Sequence, residues 1–421
     1  MTGVQTCALP IYYQYQTARN SRRTPLHDRL VAAGACMGEL AGWERPNWYA
    51  APGSNPKYEY SYGRQNWFGA CRAESEAVRD AVGLYDETCF AKFLVQGPDA
   101  LSLLDRLSVS KVDVPAGKLV YTQWLNELGG IEADLTITRL SRDEFMVVTA
   151  AACQTRDLAW LRKHRESLGL TQCWITDVTP GIAMLGIMGP NSRPLLEKLT
   201  GLDFSNAAHP FAWSREVEIG YATVRASRIT YVGELGWELY VSAEHVLDVY
   251  ERILEAGAEF GLKHAGYHSM AACRVEKGYR SWGHDIADED TPFEAGLTFT
   301  IAWDKDGGFI GREALLIHKA KGTPRKRLVQ VCLEDDSDSA PLMYHEEPIL
   351  KDGQIVGSIR SGAFGHRIRK SIGMGYVGCE SGVTREWLAD GVWEVEVACR
   401  RYRARVQLEP LYDPKNERIK A

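Results

Sequence analysis

The stretch Tyr121–Leu140 (YTQWLNELGGIEADLTITRL) holds a carboxylate in a setting that can do chemistry. Gly129-Gly130 permits a tight turn or a close backbone approach, and Asp134 follows at the start of an alternating, strand-like run. A carboxylate presented at a strand edge behind a glycine turn can act as a base or stabilise a cation. On spacing alone, a turn aspartate capping a hairpin is the commoner outcome. A second stretch, Thr230–Tyr240 (TYVGELGWELY), sets two carboxylates, Glu234 and Glu238, among Tyr231, Trp237 and Tyr240. An aromatic pocket with a fixed carboxylate suits a flat heterocycle bearing adjacent N–H donors, and a pterin has such an edge. Glu234 reads as solvated at a hairpin turn, so Glu238, embedded among large apolar residues, is the better candidate. A third stretch, Ala271–Ile286 (AACRVEKGYRSWGHDI), places Arg274 in an otherwise apolar helix. There it pairs with a carboxylate, from protein or from a ligand.

Other chemistries find no support. His264 and His268 have the i,i+4 spacing of a metal pair, but no Glu completes an HExxH arrangement, so no metal site is expected. No GxSxG elbow, no Walker loop and no GxGxxG after a strand is present. The ten cysteines are scattered from Cys7 to Cys399 without a CxxC pair, which argues against a zinc knuckle or a disulfide framework. It fits a reducing compartment, and a cytoplasmic location is expected. The turn Thr291-Pro292-Phe293-Glu294 and the acidic loop Asp335–Asp338 read as structural.

These residues need a frame. The 421 residues are 45% apolar, ample for more than one core, and the net charge of −6 comes from interspersed acids and bases. No basic face for nucleic acid and no apolar run long enough for a bilayer is seen. Met1–Ile11 looks like a translated sequencing adaptor and is expected to be artefactual, with the natural protein beginning further upstream. Residues 12–73, rich in Arg, Pro, Tyr and Trp, read as the end of a preceding domain and a linker. Two strand–Gly-Pro–helix units follow, at Gly97-Pro98 and, 92 residues later, at Gly189-Pro190, both fitting xGPxxxxLLxxL. Gly permits a sharp strand exit and Pro pre-sets the first helical turn, so two related subdomains are expected. Strands and helices mix as α+β over 74–321. Beyond a basic linker at Lys321–Lys326, short strands with Asp-Gly turns predict a small all-β domain over 322–412, with a tail at 413–421.

Taken in order, GGIEAD, YVGELGWE, CRVEKGYRSWGHDI, TPFEAGL, FIGREAL and GQIVGSIRSGAFGHRIRKSIGMGYV resemble the aminomethyltransferase (glycine-cleavage T-protein) family over about 74–412. Arg22–Tyr49 is similar to the segment before this module in dimethylglycine and sarcosine dehydrogenases. The resemblance implies a three-subdomain cloverleaf around a central folate channel, ending in a β-barrel. It implies tetrahydrofolate as the one-carbon acceptor and a small-molecule amine as the donor. The flavin domain, with its FAD, is expected in the missing N-terminal half of the same full-length chain. By the same resemblance Asp134 falls at the catalytic aspartate, and Tyr231, Glu238 and Arg274 at folate-binding positions, Glu238 on the pterin. The family usually has two adjacent acids where this chain has Ala133-Asp134, which favours the fused dehydrogenases over a lipoyl-protein substrate. A demethylase acting alone and a non-catalytic folate-binding domain are the competing readings.

Overall fold

The computed structural model describes residues 13–61, 63–337 and 340–421, so the segment read as artefactual lies outside the described residues. The first lobe is built on a six-stranded sheet in the order Ser214–Ile219, Ala222–Ser227, Gly236–Ser242, Ile182–Met188, Val82–Asp86, Leu262–His264. All neighbours are antiparallel except the last pair. The second lobe is a five-stranded antiparallel sheet in the order Leu119–Leu125, Ile131–Ser141, Glu144–Thr149, Ala91–Gln96, Trp174–Asp177. The third is a closed barrel of six strands between Lys326 and Gln407. The architecture is thus α+β with a C-terminal barrel, as the sequence predicts.

The Gly-Pro repeat is a structural repeat. Gly97 and Gly189 both adopt positive φ, at 111° and 137°, which a side chain rarely tolerates. Each glycine N–H donates to the residue just before the strand that pairs with its own, Asp143 O at 2.8 Å and Leu235 O at 2.7 Å. Each then leads into a helix, Ala100–Leu107 or Ser192–Thr200. The pairing register repeats too: Lys92 faces Val148 as Met184 faces Tyr240, and Leu94 faces Met146 as Gly186 faces Glu238.

Each sheet buries its hydrophobic face under helices. Trp237, Leu239 and Val241 pack with Val249 and Ile253 of the helix Val246–Gly257. Leu135 and Ile137 pack with Leu103, Leu104 and Leu161. Strand alternation then turns the other residues outward. Asp134 and Thr136 on one sheet, and Glu238 and Tyr240 on the other, point away from these cores. Between the two faces lies a small apolar cluster of Met146, Val148, Met184 and Tyr240. The two lobes therefore meet through an apolar patch on the faces that also carry Asp134 and Glu238.

Residues assigned from sequence to a preceding domain join the first lobe from Leu26 on. Leu26, Leu30 and Ala35 lie in its core. Glu74 accepts hydrogen bonds from the N–H of Tyr49 at 2.7 Å and of Gly266 at 2.9 Å, tying the hairpin Ala35–Tyr49 to the body.

One guanidinium joins the lobes. Arg79, 1% exposed, ends the helix Phe68–Asp80. It donates to Glu276 at 2.6 Å and to Val232 O at 2.5 Å, approaches Glu234 at 3.4 Å, and stacks on Tyr412 at 4.1 Å. Glu276 in turn accepts from the N–H of Arg367 (2.8 Å) and Ile368 (3.2 Å) in a barrel loop. Glu234 is consequently buried, not solvated as its turn position suggested, because Arg79 and Tyr412 cover it. Arg79→Ala leaves Glu276 and Glu234 buried without their cation. It is expected to cost about 3–5 kcal/mol in a denaturant titration; a loss under about 1 kcal/mol would show that the junction does not hold the lobes.

Candidate functional site

The hairpin of Leu119–Leu125 and Ile131–Ser141 presents Asp134. Its turn is organised by Asn126, whose Oδ1 accepts from the N–H of Leu128 at 3.0 Å and of Gly130 at 2.9 Å. Gly130 is required by close approach: a Cβ there would sit 1.7 Å from Asp288 O. Ile131 N–H donates to Asp290 O at 2.9 Å, so the turn also fixes the segment that follows Asp285.

Asp134 lies directly across the ladder from Gln123. Gln123 Nε2 donates to its carboxylate at 2.7 Å, while Gln123 Oε1 accepts from the Thr300 hydroxyl at 2.6 Å, which sets the amide's orientation. Tyr121 lies near enough to favour the charged form of Asp134. Burial outweighs these effects and the more distant charge of Arg280, and pushes the Asp134 carboxyl up to about 6. Such a group exchanges protons near neutrality, as a general base or acid must.

Tyr231 and Arg274 belong to the same region. The Tyr231 hydroxyl donates to Arg280 O at 2.8 Å, and its ring stacks on Tyr279 with centroids 6.1 Å apart. Burial pushes this phenol up to about 12, and Asp134, Arg274 and Asp285 all act on it electrostatically. Arg274, near the end of the helix Tyr267–Lys277, pairs with buried Asp285 and donates to Ser361 Oγ of the barrel at 2.8 Å. The carboxylate that the sequence required for it is thus supplied by the protein.

Glu238 stands in a second cluster on the opposite lobe. Its carboxylate accepts from the Tyr240 hydroxyl at 2.6 Å. Burial pushes it up to about 7 against the opposing effects of Tyr240 and Lys92. Lys92 is itself fully buried; it donates to Thr88 O at 2.8 Å, and burial pushes it down to about 8. The two clusters connect through packing. Thr136, on Asp134's face, pairs with Val148, and Val148 packs with Tyr240.

Comparison with known proteins places this geometry. The GCVT N-terminal domain matches residues 26–305, and the glycine cleavage T-protein C-terminal barrel domain matches residues 326–413. The chain belongs to the glycine-cleavage T-protein family. It is 43% identical over 408 residues to 4-methylaminobutanoate oxidase (formaldehyde-forming) of Paenarthrobacter nicotinovorans, covering 97% of this chain and 48% of that protein. It is 34% identical to mitochondrial sarcosine dehydrogenase of Mus musculus, covering 96% and 47%. The chain thus spans about half the length of these curated relatives. The solved structure of glycine cleavage system aminomethyltransferase T from Bartonella henselae shares the fold, with a TM-score of 0.77 at 24% identity over 93% of this chain and 98% of that one.

Several residues of this T-protein site were not singled out from sequence. Gln123 and Tyr121 lie within the quoted stretch, and a hairpin register about Gly129-Gly130 sets Gln123 opposite Asp134. Lys92 stands out only as a lone charge in the apolar strand Ala91–Gln96. The paired histidines diverge: His264 meets the Tyr250 hydroxyl at 2.7 Å and His268 that of Tyr58 at 2.9 Å. Among the described residues no cluster of metal-ligating side chains is found. The larger open cleft, about 600 Å³, is lined by Arg22, Gln154, Arg162 and Lys163 on the outer side of the second lobe and contains no candidate residue. An open surface cleft perturbs its groups little; the enclosed carboxyls are the stronger sign of a site.

The raised Asp134 carboxyl has a stability consequence. Its charged form is less favourable in the folded chain than in the unfolded one, so at pH 7 it costs stability. The cost grows as pH rises from about 3.8 to about 6 and is constant above that. Asp134→Asn is therefore expected to stabilise the protein by roughly 1–2 kcal/mol at pH 7 and by nothing below about pH 4. Thermal denaturation of both forms across this range checks it; equal stability at every pH would contradict the environment described for Asp134.

Proposed function

We propose that this chain is a tetrahydrofolate-dependent one-carbon transferase that captures the unit released when an N-methylated amino acid, dimethylglycine or sarcosine, is oxidised. The observation that carries this reading is Asp134, an enclosed carboxyl near neutrality, held by Gln123 beside Tyr121 on the face turned toward Glu238. The oxidation belongs to a flavin module, in the same full-length chain or a partner. The names of the longer relatives, an oxidase and a dehydrogenase, support that assignment.

The residues fit a reduced pterin. Glu238 is a half-buried acceptor on the inter-lobe face, suited to the adjacent N–H donors of a pterin edge. Tyr231 and Tyr279 offer stacked aromatic surface beside Asp134 and Arg274. When bound, tetrahydrofolate supplies two amine nitrogens that accept the carbon, giving 5,10-methylenetetrahydrofolate. Asp134 takes up and returns a proton at its carboxylate and stabilises cationic character nearby. Gln123, locked by Thr300, keeps that carboxylate oriented. The enclosed face excludes water that would otherwise hydrolyse an electrophilic carbon.

Two measurements test this. Calorimetric titration with tetrahydrofolate should show micromolar binding that Glu238→Ala weakens strongly. Formaldehyde capture on tetrahydrofolate should gain rate as pH rises through about 6, where Asp134 ionises. Asp134→Asn should lower that rate by about 10²–10⁴-fold and remove this pH step. A variant as fast as wild type would remove Asp134 from the chemistry, and a folded chain that binds no tetrahydrofolate would refute the reading as a whole.

A further inference from the structure

One buried acid near Glu238 has no part in the mechanism above. Glu87 follows the strand Val82–Asp86 and is 2% exposed. Its N–H donates to Met184 O at 2.9 Å, which places it over the strand Ile182–Met188. Its carboxyl lies flat on Gly186: a Cβ built on that glycine would be 2.9 Å from the carboxyl carbon and from both oxygens. Gly186 is the direct cross-strand partner of Glu238, so the two carboxyls occupy neighbouring places on one face of the sheet. Glycine at 186 is what makes room for the second acid.

Glu87 Oε2 is buried and meets no hydrogen-bond partner among the described residues. Leaving such an atom unpaired is costly, and its persistence calls for a use. Burial and the nearby Glu238 and Asp86 hold this carboxyl well above the ordinary range. The remaining titratable groups around the pair are Tyr240, Tyr267 and Lys92. Of these Lys92 is the only cation, and it acts on Glu238 and Asp86. Glu87 is therefore the neutral member, with an O–H to donate, and Glu238 is the acceptor.

We propose that Glu87 is a second ligand-contacting carboxyl of the Glu238 pocket, donating to the ring carbonyl of a 2-amino-4-oxo heterocycle and selecting it over a 2,4-diamino ring. The inference rests on the folate reading above and adds a selectivity to it. Glu238 accepts from the ring N–H and amino group, while Glu87 supplies the one donor the carbonyl needs. A 2,4-diamino ring brings a donor to that place and turns a bare ring nitrogen toward Glu238, so the Glu87 O–H loses its acceptor and Glu87 can only rotate its carbonyl oxygen toward the amine. A site with a fixed polar group discriminates well against a ligand that leaves the group unpaired.

The test is anaerobic equilibrium binding of tetrahydrofolate and of its 2,4-diamino analogue to wild type, Glu87→Gln, Glu87→Leu and Glu238→Ala. Wild type should prefer the oxo ring by about tenfold or more. Glu87→Leu should shrink the preference to what Glu238 alone gives, whereas Glu87→Gln should keep it whole, because its amide N–H also donates. A wild-type preference retained in Glu87→Leu overturns the proposal. If Glu87→Leu does not fold, infrared spectroscopy of the wild type decides. A neutral-carboxyl stretch that disappears in Glu87→Gln supports the proposal, and its absence from wild type overturns it. The two levels of the argument fail differently. Wild type that binds neither ring overturns the folate reading and this inference together. Binding that depends on Glu238 and ignores Glu87 overturns this inference alone.

Discussion

The guanidinium of Arg79 is a full positive charge with almost no contact with water, and a charge so placed must be surrounded by partners. Those partners are distant in sequence: Glu276 and Cys273 O from the helix Tyr267–Lys277, Val232 O and Glu234 from the loop before Gly236, and Tyr412 from beyond the barrel. Glu276 extends the network to the barrel loop at Arg367. Lys277, next in sequence, ties the same helix to Asp413 at 2.8 Å. The first lobe and the barrel thus share one electrostatic joint. Their relative placement fixes what lies between them, since Arg274 of the same helix reaches both Asp285 and barrel Ser361.

A second consequence follows from enclosure. Asp134, Glu238 and Glu87 all have their carboxyls raised, and in each case burial is the largest cause. The polar faces of two sheets, which would ordinarily be hydrated, are turned toward one another and kept from water by Met146, Val148, Met184 and Tyr240. A carboxyl raised toward neutrality is suited to both giving up and taking back a proton there.

Much of this was legible in the sequence where local rules dominate. The small all-β domain expected beyond residue 322 is the six-stranded barrel, and the helix expected around Arg274 is Tyr267–Lys277. Alternation and Asp-Gly turns are enough for such elements. The hairpin Ala35–Leu40 and Trp43–Tyr49 was illegible because Pro46 and dense aromatics break its period, and Trp174–Asp177 and Leu262–His264 are too short to carry one. Glu238 could be singled out by its apolar neighbours in the chain, and Asp134 only through the family resemblance. Glu234 could not be, since its partners Arg79 and Tyr412 are 155 and 178 residues away. Glu87 had no signal either; only Gly186 leaning on it reveals the pair.

The repeat around Gly97 and Gly189 has its own implication. Under the shared register, Met146 occupies in one half the place that Glu238 occupies in the other. Following the ladders outward, Thr223 occupies the place of Asp134. The backbone is duplicated while its chemistry is not: neither Asp134 nor Glu238 has an acidic counterpart in the other half. A symmetric pair of identical halves would offer two copies of one acid and none of the other, and so could not distinguish the two ends of an asymmetric ligand. Joining both halves in one polypeptide freed each to specialise, so that direction along the cleft is written entirely in side chains on a frame that has none.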